Sequence, residues 1–288
     1  MMCELRSLLS KQFFFRLEHS IFTYSSSLDV MSGGDLYFHL ARITQGGAEG
    51  FPVNEAKILL AEISLGVHHM HRHHFLHNDL KLENIMITRS GHVKLIDFGL
   101  ARAFTGFVEE ATPTGSLLYM PPELLQFKIG GPFRDWWAVG VVAHELLTGR
   151  SPWSSLSDKR VIRDEIRSHF PVVAPSRLPK PARCFIERLL CKDYRFRLGS
   201  ASPNDVLSAS FFMGIDWAAT VSGQTAPAFV PMKPAQQNHC VLSGEQRAAL
   251  RVYLKHMGKK QPAEGEGGWS LAMETVEIEP KCFAPVIL

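Results

Sequence analysis

The residues His77-Asn78-Asp79-Leu80-Lys81-Leu82-Glu83-Asn84, followed a few residues later by Asp97-Phe98-Gly99, decide how this chain is to be read. Between them, residues 84–88 and 92–96 are short β-rich runs joined by Arg89-Ser90-Gly91, the pattern of a small hairpin. The hairpin is flanked on one side by two carboxylates, an ammonium and an amide, and on the other by a further carboxylate. These residue types suit in-line phosphoryl transfer. That reaction needs a positioned hydroxyl nucleophile and neutralised phosphate charge, with little covalent work by the protein.

Outward from the hairpin the chain reads as helical. Between residues 51 and 70, Leu59, Leu60, Ile63, Val67 and Met70 recur at helical spacing, with Pro52 tolerated in the first turn. Further helices are expected over 136–148, 158–168 and 182–191. After Ala218, Pro, Gly, Gln and Ser become frequent, so the ordered body is expected to end near Trp217. In the tail, Ser243-Gly244-Glu245-Gln246 has the form of a capping box, and Leu250, Tyr253, Leu254 and Met257 follow at helical spacing. A tail helix docking on the body is the reading, with 261–268 flexible.

Composition excludes several classes. With 288 residues the chain allows one large domain or two small ones. Hydrophobic residues make up 45% and charged residues 20%, so disorder, a fibrous repeat and a coiled coil are not expected. The net charge is +3, from 31 basic and 28 acidic side chains, which gives no electrostatic case for a nucleic-acid or membrane partner. Cys3, Cys184, Cys191, Cys240 and Cys282 are odd in number and lack CxxC spacing, against a disulfide framework or zinc site. A reducing compartment follows, the cytoplasm with the nucleus left open. The N-terminal residues lack the apolar core of a signal peptide, and the apolar run 136–147 is broken by His144 and Glu145 and too short for a bilayer. Six histidines lie between His68 and His77, but Arg72 sits among them, and a partly exposed helix end accounts for them better than a metal.

The order of the landmarks carries a family resemblance. The first segment matches H-R-D-L-x-x-x-N except at Asn78, and Asp97-Phe98-Gly99 matches the magnesium-binding tripeptide. Pro121-Pro122-Glu123 stands where A-P-E is found, and Asp135-Trp136-Trp137-Ala138-Val139-Gly140 and Arg197 follow. In this order and spacing the chain resembles the eukaryotic protein kinases. Met31-Ser32-Gly33-Gly34-Asp35-Leu36 resembles the hinge exit of the AGC group, which includes the ribosomal-protein kinases. Phe211-Phe212-Met213-Gly214-Ile215-Asp216-Trp217 and Phe229-Val230-Pro231 resemble the start of its C-terminal tail. The resemblance covers about residues 13 to 231. It implies an α+β, protein kinase-like fold, mainly the helical C-lobe with a small remnant of the β-rich N-lobe. Residues 1–35 would form the remnant and hinge, 36–217 the C-lobe, and 218–288 a partly flexible tail.

The same resemblance implies roles. Asp79 would accept the substrate hydroxyl proton, Lys81 would contact the transferring phosphate, and Asn84 and Asp97 would hold magnesium, with ATP as phosphate donor. Lys81 together with Ser116 in Gly115-Ser116-Leu117-Leu118-Tyr119 resembles the serine/threonine type. Asp35 would lie near the nucleotide ribose and Met86 beneath the base. Glu83 and Glu145 match positions that bind arginine upstream of the phosphorylated residue, so the expected partners are protein substrates with basic residues there. Glu123 and Arg197 would form a buried ion pair, Asp135 is a further structural residue, and Thr112 with Arg102 matches an activation-loop phosphosite and a basic group that receives its phosphate.

The sequence departs from the pattern in identifiable places. A complete N-lobe needs about 60 residues before the hinge, from ordinary strand, helix and loop lengths. About 30 precede it here, without G-x-G-x-x-G or V-A-I-K, although Glu4 resembles the helix glutamate that would pair with that lysine. Asn78 replaces the arginine that gathers a phosphorylated activation loop. The leading reading is a protein serine/threonine kinase of intracellular signalling whose N-lobe is truncated in this sequence. The alternative is a catalytically impaired pseudokinase or kinase-derived binding module.

Overall fold

The computed structural model describes residues 33–106 and 108–231. The expected hinge at 28–31, Glu4 and the tail helix after Ser243 lie outside these residues. Helix α1 (Leu36–Gln45) starts where the Asp35 carboxylate accepts the Phe38 amide at 2.7 Å. Helix α2 (Val53–Arg72) follows Pro52 and buries Leu59, Leu60, Ile63 and Val67, the stripe that the sequence spacing predicts. Three antiparallel ladders then interleave along the chain: β1 (Phe75–Leu76) with β4 (Arg102–Ala103), β2 (Ile85–Ile87) with β3 (Val93–Leu95), and β5 (Glu109–Glu110) with β6 (Ile129–Gly130). The β2–β3 pair, in register Met86 opposite Lys94, is the predicted hairpin.

Helix α3 (Pro122–Phe127) precedes β6, and α4 (Phe133–Thr148) is buried along its whole length, its polar residues Arg134, Asp135, His144, Glu145 and Thr148 included. It begins three residues earlier than the apolar pattern alone indicates, because Phe133, Arg134 and Asp135 are themselves buried in its first turn. Helix α4 packs against α2 and α6 (Lys180–Leu189). Gly140 permits the second contact: a Cβ there would stand 2.8 Å from Leu189 Cβ. Helix α5 (Lys159–Arg167) is capped by Asp158 and buries Ile162 and Ile166. The short helices α7 (Asn204–Leu207) and α8 (Trp217–Val221) complete the set.

The packed body extends further than composition indicates. Past Trp217, Phe229 contacts His39 and Phe51, with ring centroids 4.9 and 5.7 Å apart, and the compact unit runs to Pro231. Two aromatic contacts hold a polar, Pro-rich segment that has no periodicity of its own.

Arg197 is fully buried and bidentate to Glu123, Nη1 to Oε1 at 2.7 Å and Nη2 to Oε2 at 2.8 Å. It also donates to the carbonyls of Phe133 and Cys191 at 3.0 Å each, and its guanidinium lies 4.9 Å from the Trp137 ring. One side chain thus ties α3, α4 and the loop after α6 together. Arg197→Met should destabilise the fold by about 3–5 kcal/mol, because Glu123 is left buried without its partner. Replacing both, Arg197→Met with Glu123→Leu, should cost less than the single change. Urea denaturation of the two variants checks the order, and a double variant less stable than the single one would contradict it.

Candidate active site

The site is built on Asp135, in the first turn of α4 and about 1% exposed. Its Oδ2 accepts from His71 Nε2, at the end of α2, and from the His77 amide, both at 2.9 Å. Its Oδ1 accepts from the Asn78 amide at 2.9 Å. Burial works against its ionisation, but the hydrogen bond and charge of His71, with the contribution of His77, hold the carboxyl below its ordinary range. The loop so held turns through Asn78 in the left-handed region, at φ 65°, and projects the next side chains to one side.

His77 fixes the second edge of this loop. Its Nε2 donates to the Ile96 carbonyl at 3.1 Å, and its Nδ1 is 3.4 Å from the Asp79 amide. Burial lowers its pKa despite the nearby carboxylates of Asp135, Asp79 and Asp97, so the ring is neutral with the proton on Nε2. The ring thereby joins the loop carrying Asp79 to the residue preceding Asp97.

Around Asp79 the predicted residues converge. Lys81 Nζ lies 2.6 Å from Asp79 Oδ2 and donates to Ser116 Oγ at 3.4 Å. Asn84 Nδ2 donates to the Asp79 carbonyl at 2.8 Å and to Oδ2 at 3.1 Å. Gly115, at φ 96°, passes so close that a Cβ on it would stand 3.1 Å from Asp79 Oδ1. A side chain there would be strained and crowded, so glycine is required where this segment crosses the loop. Across the hairpin, the Ile96 amide donates to the Asn84 carbonyl at 3.0 Å, which sets Asp97 beside Asn84 in the fold.

A magnesium ion keeps several waters and takes one or two protein oxygens together with phosphate, so it needs no three-residue cage. Among the described residues no group of three His, Cys, Asp or Glu is placed to hold a metal. Asn84 and Asp97 supply two oxygen donors of the required kind. The Asp97 carboxylate is half-buried and, among the described residues, accepts only a long bond, 3.4 Å, from the Gly99 amide. The histidines between 68 and 77 have other partners: His68 meets Asn204 at 2.8 Å, and the His69 and His73 rings lie 4.5 Å apart.

Asp35 and Met86 are brought together by an isolated antiparallel bridge, with the Asp35 carboxylate serving also as the cap of α1. Glu83 and Glu145 also meet. Glu145, in the last turn of α4, is buried and accepts the Tyr119 hydroxyl at 2.8 Å. Burial, with the negative charge of Glu83 adding to it and the Tyr119 bond opposing it, pushes its carboxyl up to about 8. Glu83 Oε2 is buried with no hydrogen-bond partner. Two carboxyl groups therefore face each other with no cation paired to either among the described residues. Tyr119 was not legible as their companion, although a hydroxyl in the apolar run after Ser116 was a usable signal.

Thr112 and Thr114 are exposed, and Arg102 lies on β4 opposite Leu76. Asn78 Nδ2 donates to the Leu100 carbonyl at 2.9 Å, while Oδ1 is buried without a partner. The second residue that the sequence reading passes over is Arg134. It lines a small cleft with Asn78, Asp79, Thr114 and Ser116.

Comparison with known proteins places the chain in a family. Residues 17–212 match the protein kinase domain family. The chain is similar to ribosomal protein S6 kinase alpha-4 of Mus musculus, 35% identical over 212 residues, which is 71% of this chain and 27% of that protein. It is similar to serine/threonine-protein kinase AtPK1/AtPK6 of Arabidopsis thaliana, 33% identical over 215 residues, 73% of this chain and 44% of that protein. RAC-beta serine/threonine-protein kinase A of Xenopus laevis is 34% identical over 212 residues, 71% of this chain and 41% of that protein. The match thus spans less than half the length of each of these relatives.

Because the Glu145 carboxyl is raised from 4.5 to about 8, it is protonated in the fold where an unfolded carboxyl is ionised. Its contribution to stability must therefore fall as pH rises from about 4.5 to about 8, by up to about 1.4 kcal/mol per pH unit, and level off above. Glu145→Gln keeps an acceptor for Tyr119 and removes the dependence. Urea denaturation across this range should give a wild-type minus variant difference that becomes more negative with pH; a flat difference would contradict the assignment.

Proposed function

This chain belongs to the protein kinase domain family and is related to serine/threonine kinases, and on that premise we propose that it transfers the γ-phosphate of ATP to serine or threonine in proteins bearing arginine upstream of the acceptor. The observation that carries the reading is the convergence of Lys81, Asn84 and the Gly115–Ser116 turn on Asp79.

Asp79 acts as the base. At rest its charge is met by Lys81, which is about 21% exposed and able to move. An arriving phosphate competes for Lys81 through charge-assisted hydrogen bonds, and its capture frees an Asp79 oxygen for the substrate hydroxyl. Asn84 holds the carboxylate during that exchange, and Ser116 steadies Lys81. Asn84 and Asp97 would hold magnesium, which supplies charge neutralisation on the phosphate oxygens. Asp35 and Met86 border the nucleoside, the first toward the ribose and the second under the base.

Glu83 and Glu145 select the substrate. A guanidinium offers a planar fork of donors matched to carboxylates, and its entry relieves the mutual repulsion of the pair. Binding must then release protons, since a cation beside Glu145 lowers a carboxyl that stands at about 8 in its absence.

The test uses the full chain with Mg-ATP and a serine peptide carrying upstream arginine. Phosphate transfer should be abolished by Asp79→Asn with thermal unfolding unchanged. Peptide affinity should rise with pH between about 6 and 8, by up to about tenfold per unit, and Glu145→Gln should flatten that rise. Retained, pH-dependent peptide binding with no transfer would instead support a kinase-derived binding module. A preference for acidic or proline-directed peptides would overturn the role given to Glu83 and Glu145.

A further inference from the structure

Arg134 is an anomaly. It occupies the first turn of α4, is 5% exposed, and its guanidinium has no hydrogen bond or ion pair among the described residues. The carboxylates near it are already engaged. Asp135 accepts from His71, His77 and Asn78, and Glu123 is bidentate to Arg197. Burial lowers the Arg134 pKa, Asp135 and Glu123 oppose this, and Arg102 is close enough to lower it further by repulsion. Two cations therefore share a partly closed space, and the Arg134 guanidinium borders the cleft with no hydrogen bond or ion pair among the described residues. Such an arrangement costs stability unless an anion joins it.

What lies over the two arginines is the segment after β5. The ladder of β5 with β6 and the bond from the Ala111 amide to the Lys128 carbonyl, 2.7 Å, pin this segment beside Gly130. A Cβ placed on Gly130 would be 2.6 Å from Ala111 Cβ, 3.2 Å from Arg102 Nη2 and 3.3 Å from Arg134 Cδ. The absence of a side chain at Gly130 is what allows all three to gather. Three residues on, Thr114 lines the same cleft as Arg134 and Asn78. Thr112 lies between these two anchors, exposed and open to modification.

We propose that Arg134 and Arg102 together form the receptor for a phosphate carried on Thr112, Arg134 supplying from α4 the cation that Asn78 does not supply from the catalytic loop. A phosphothreonine brings a charge of about −1.5 to −2 and three acceptor oxygens, enough for both guanidinium groups. The bound phosphate ties β4, the start of α4 and the segment leading to Gly115 and Ser116 into one unit. It thus steadies the turn that packs on Asp79. This regulatory role rests on the kinase reading above, but the receptor itself is measurable without turnover.

The experiment places phosphothreonine at position 112 of the full chain and compares wild type with Arg134→Gln, Arg134→Lys and Lys128→Ala. Phosphorus NMR should give a second phosphate pKa below the usual value of about 6 in wild type, and Arg134→Gln should return it most of the way. Lys128→Ala, at the residue between α3 and β6, should leave it unchanged. The thermal response should reverse in sign. Arg134→Gln leaves unchanged or raises the melting temperature of the unphosphorylated chain, and lowers that of the phosphorylated one; Arg134→Lys loses only part of the effect. A structural role would move both forms alike. An unshifted phosphate pKa in wild type, a shift insensitive to Arg134→Gln, or the same shift produced only by phosphate on Thr114 would overturn the proposal. Absence of phosphate transfer with these shifts intact would count against the kinase reading and leave the receptor standing.

Discussion

Three donors from two separate parts of the chain converge on the carboxylate of Asp135, and the geometry of the whole site follows from that convergence. A charge buried to this degree is stable only with its hydrogen bonds satisfied. The partners that satisfy it are the end of α2 and two consecutive amides of the loop before Asp79. The requirement runs both ways. The loop turns through a left-handed Asn78 because both amides must face one carboxylate, and that turn aims Asp79, Lys81 and Asn84 at a common point. The position of Asp135 in the first turn of α4 adds the favourable field of the helix N-terminus.

Much of this was legible in the sequence, because the informative residues are polar and local in order. The hairpin announces itself by β-rich runs around Arg89-Ser90-Gly91, and α2 by the spacing of Leu59, Leu60, Ile63 and Val67. What was not legible depends on contacts distant in sequence. The two-residue ladders β1–β4 and β5–β6 are too short to carry a period, and their partners lie many residues apart. The packing of Phe229 on His39 and Phe51 is likewise invisible in a Pro-rich composition. Tyr119 and Arg134 acquire meaning only from what stands opposite them.

Arg134, and the Glu145 that Tyr119 faces, expose a common design at opposite ends of one helix. Arg134 is in the first turn of α4 and Glu145 in its last. The partial charges of a helix favour anions at the N-terminus and cations at the C-terminus, so each side chain is set against the helix field. Neither has a partner of opposite charge among the described residues: Glu145 has only the Tyr119 hydroxyl and the repelling Glu83, and Arg134 has Arg102 beside it. A helix buried along its whole length has little freedom to relax such charges toward water.

A fold that keeps two such charges must either suppress them or meet them with charge from outside. Suppression is visible at Glu145, whose carboxyl stands at about 8 and is neutral at ordinary pH. It is not open to Arg134 in the same degree, because a guanidinium stays protonated across the accessible range. On the substrate reading proposed above, the acidic end waits neutral for a guanidinium and ionises as that ligand arrives. The basic end carries its charge at all times and gains most from a dianion. On the readings proposed above, the two ends are complementary in sign and unequal in kind: a reversible, pH-sensitive grip on a guanidinium at Glu145, and a fixed positive charge for a phosphate at Arg134. Because α4 also holds Asp135, an anion settled at its first turn bears directly on the carboxylate that orients Asp79, whereas a guanidinium at its last turn does not.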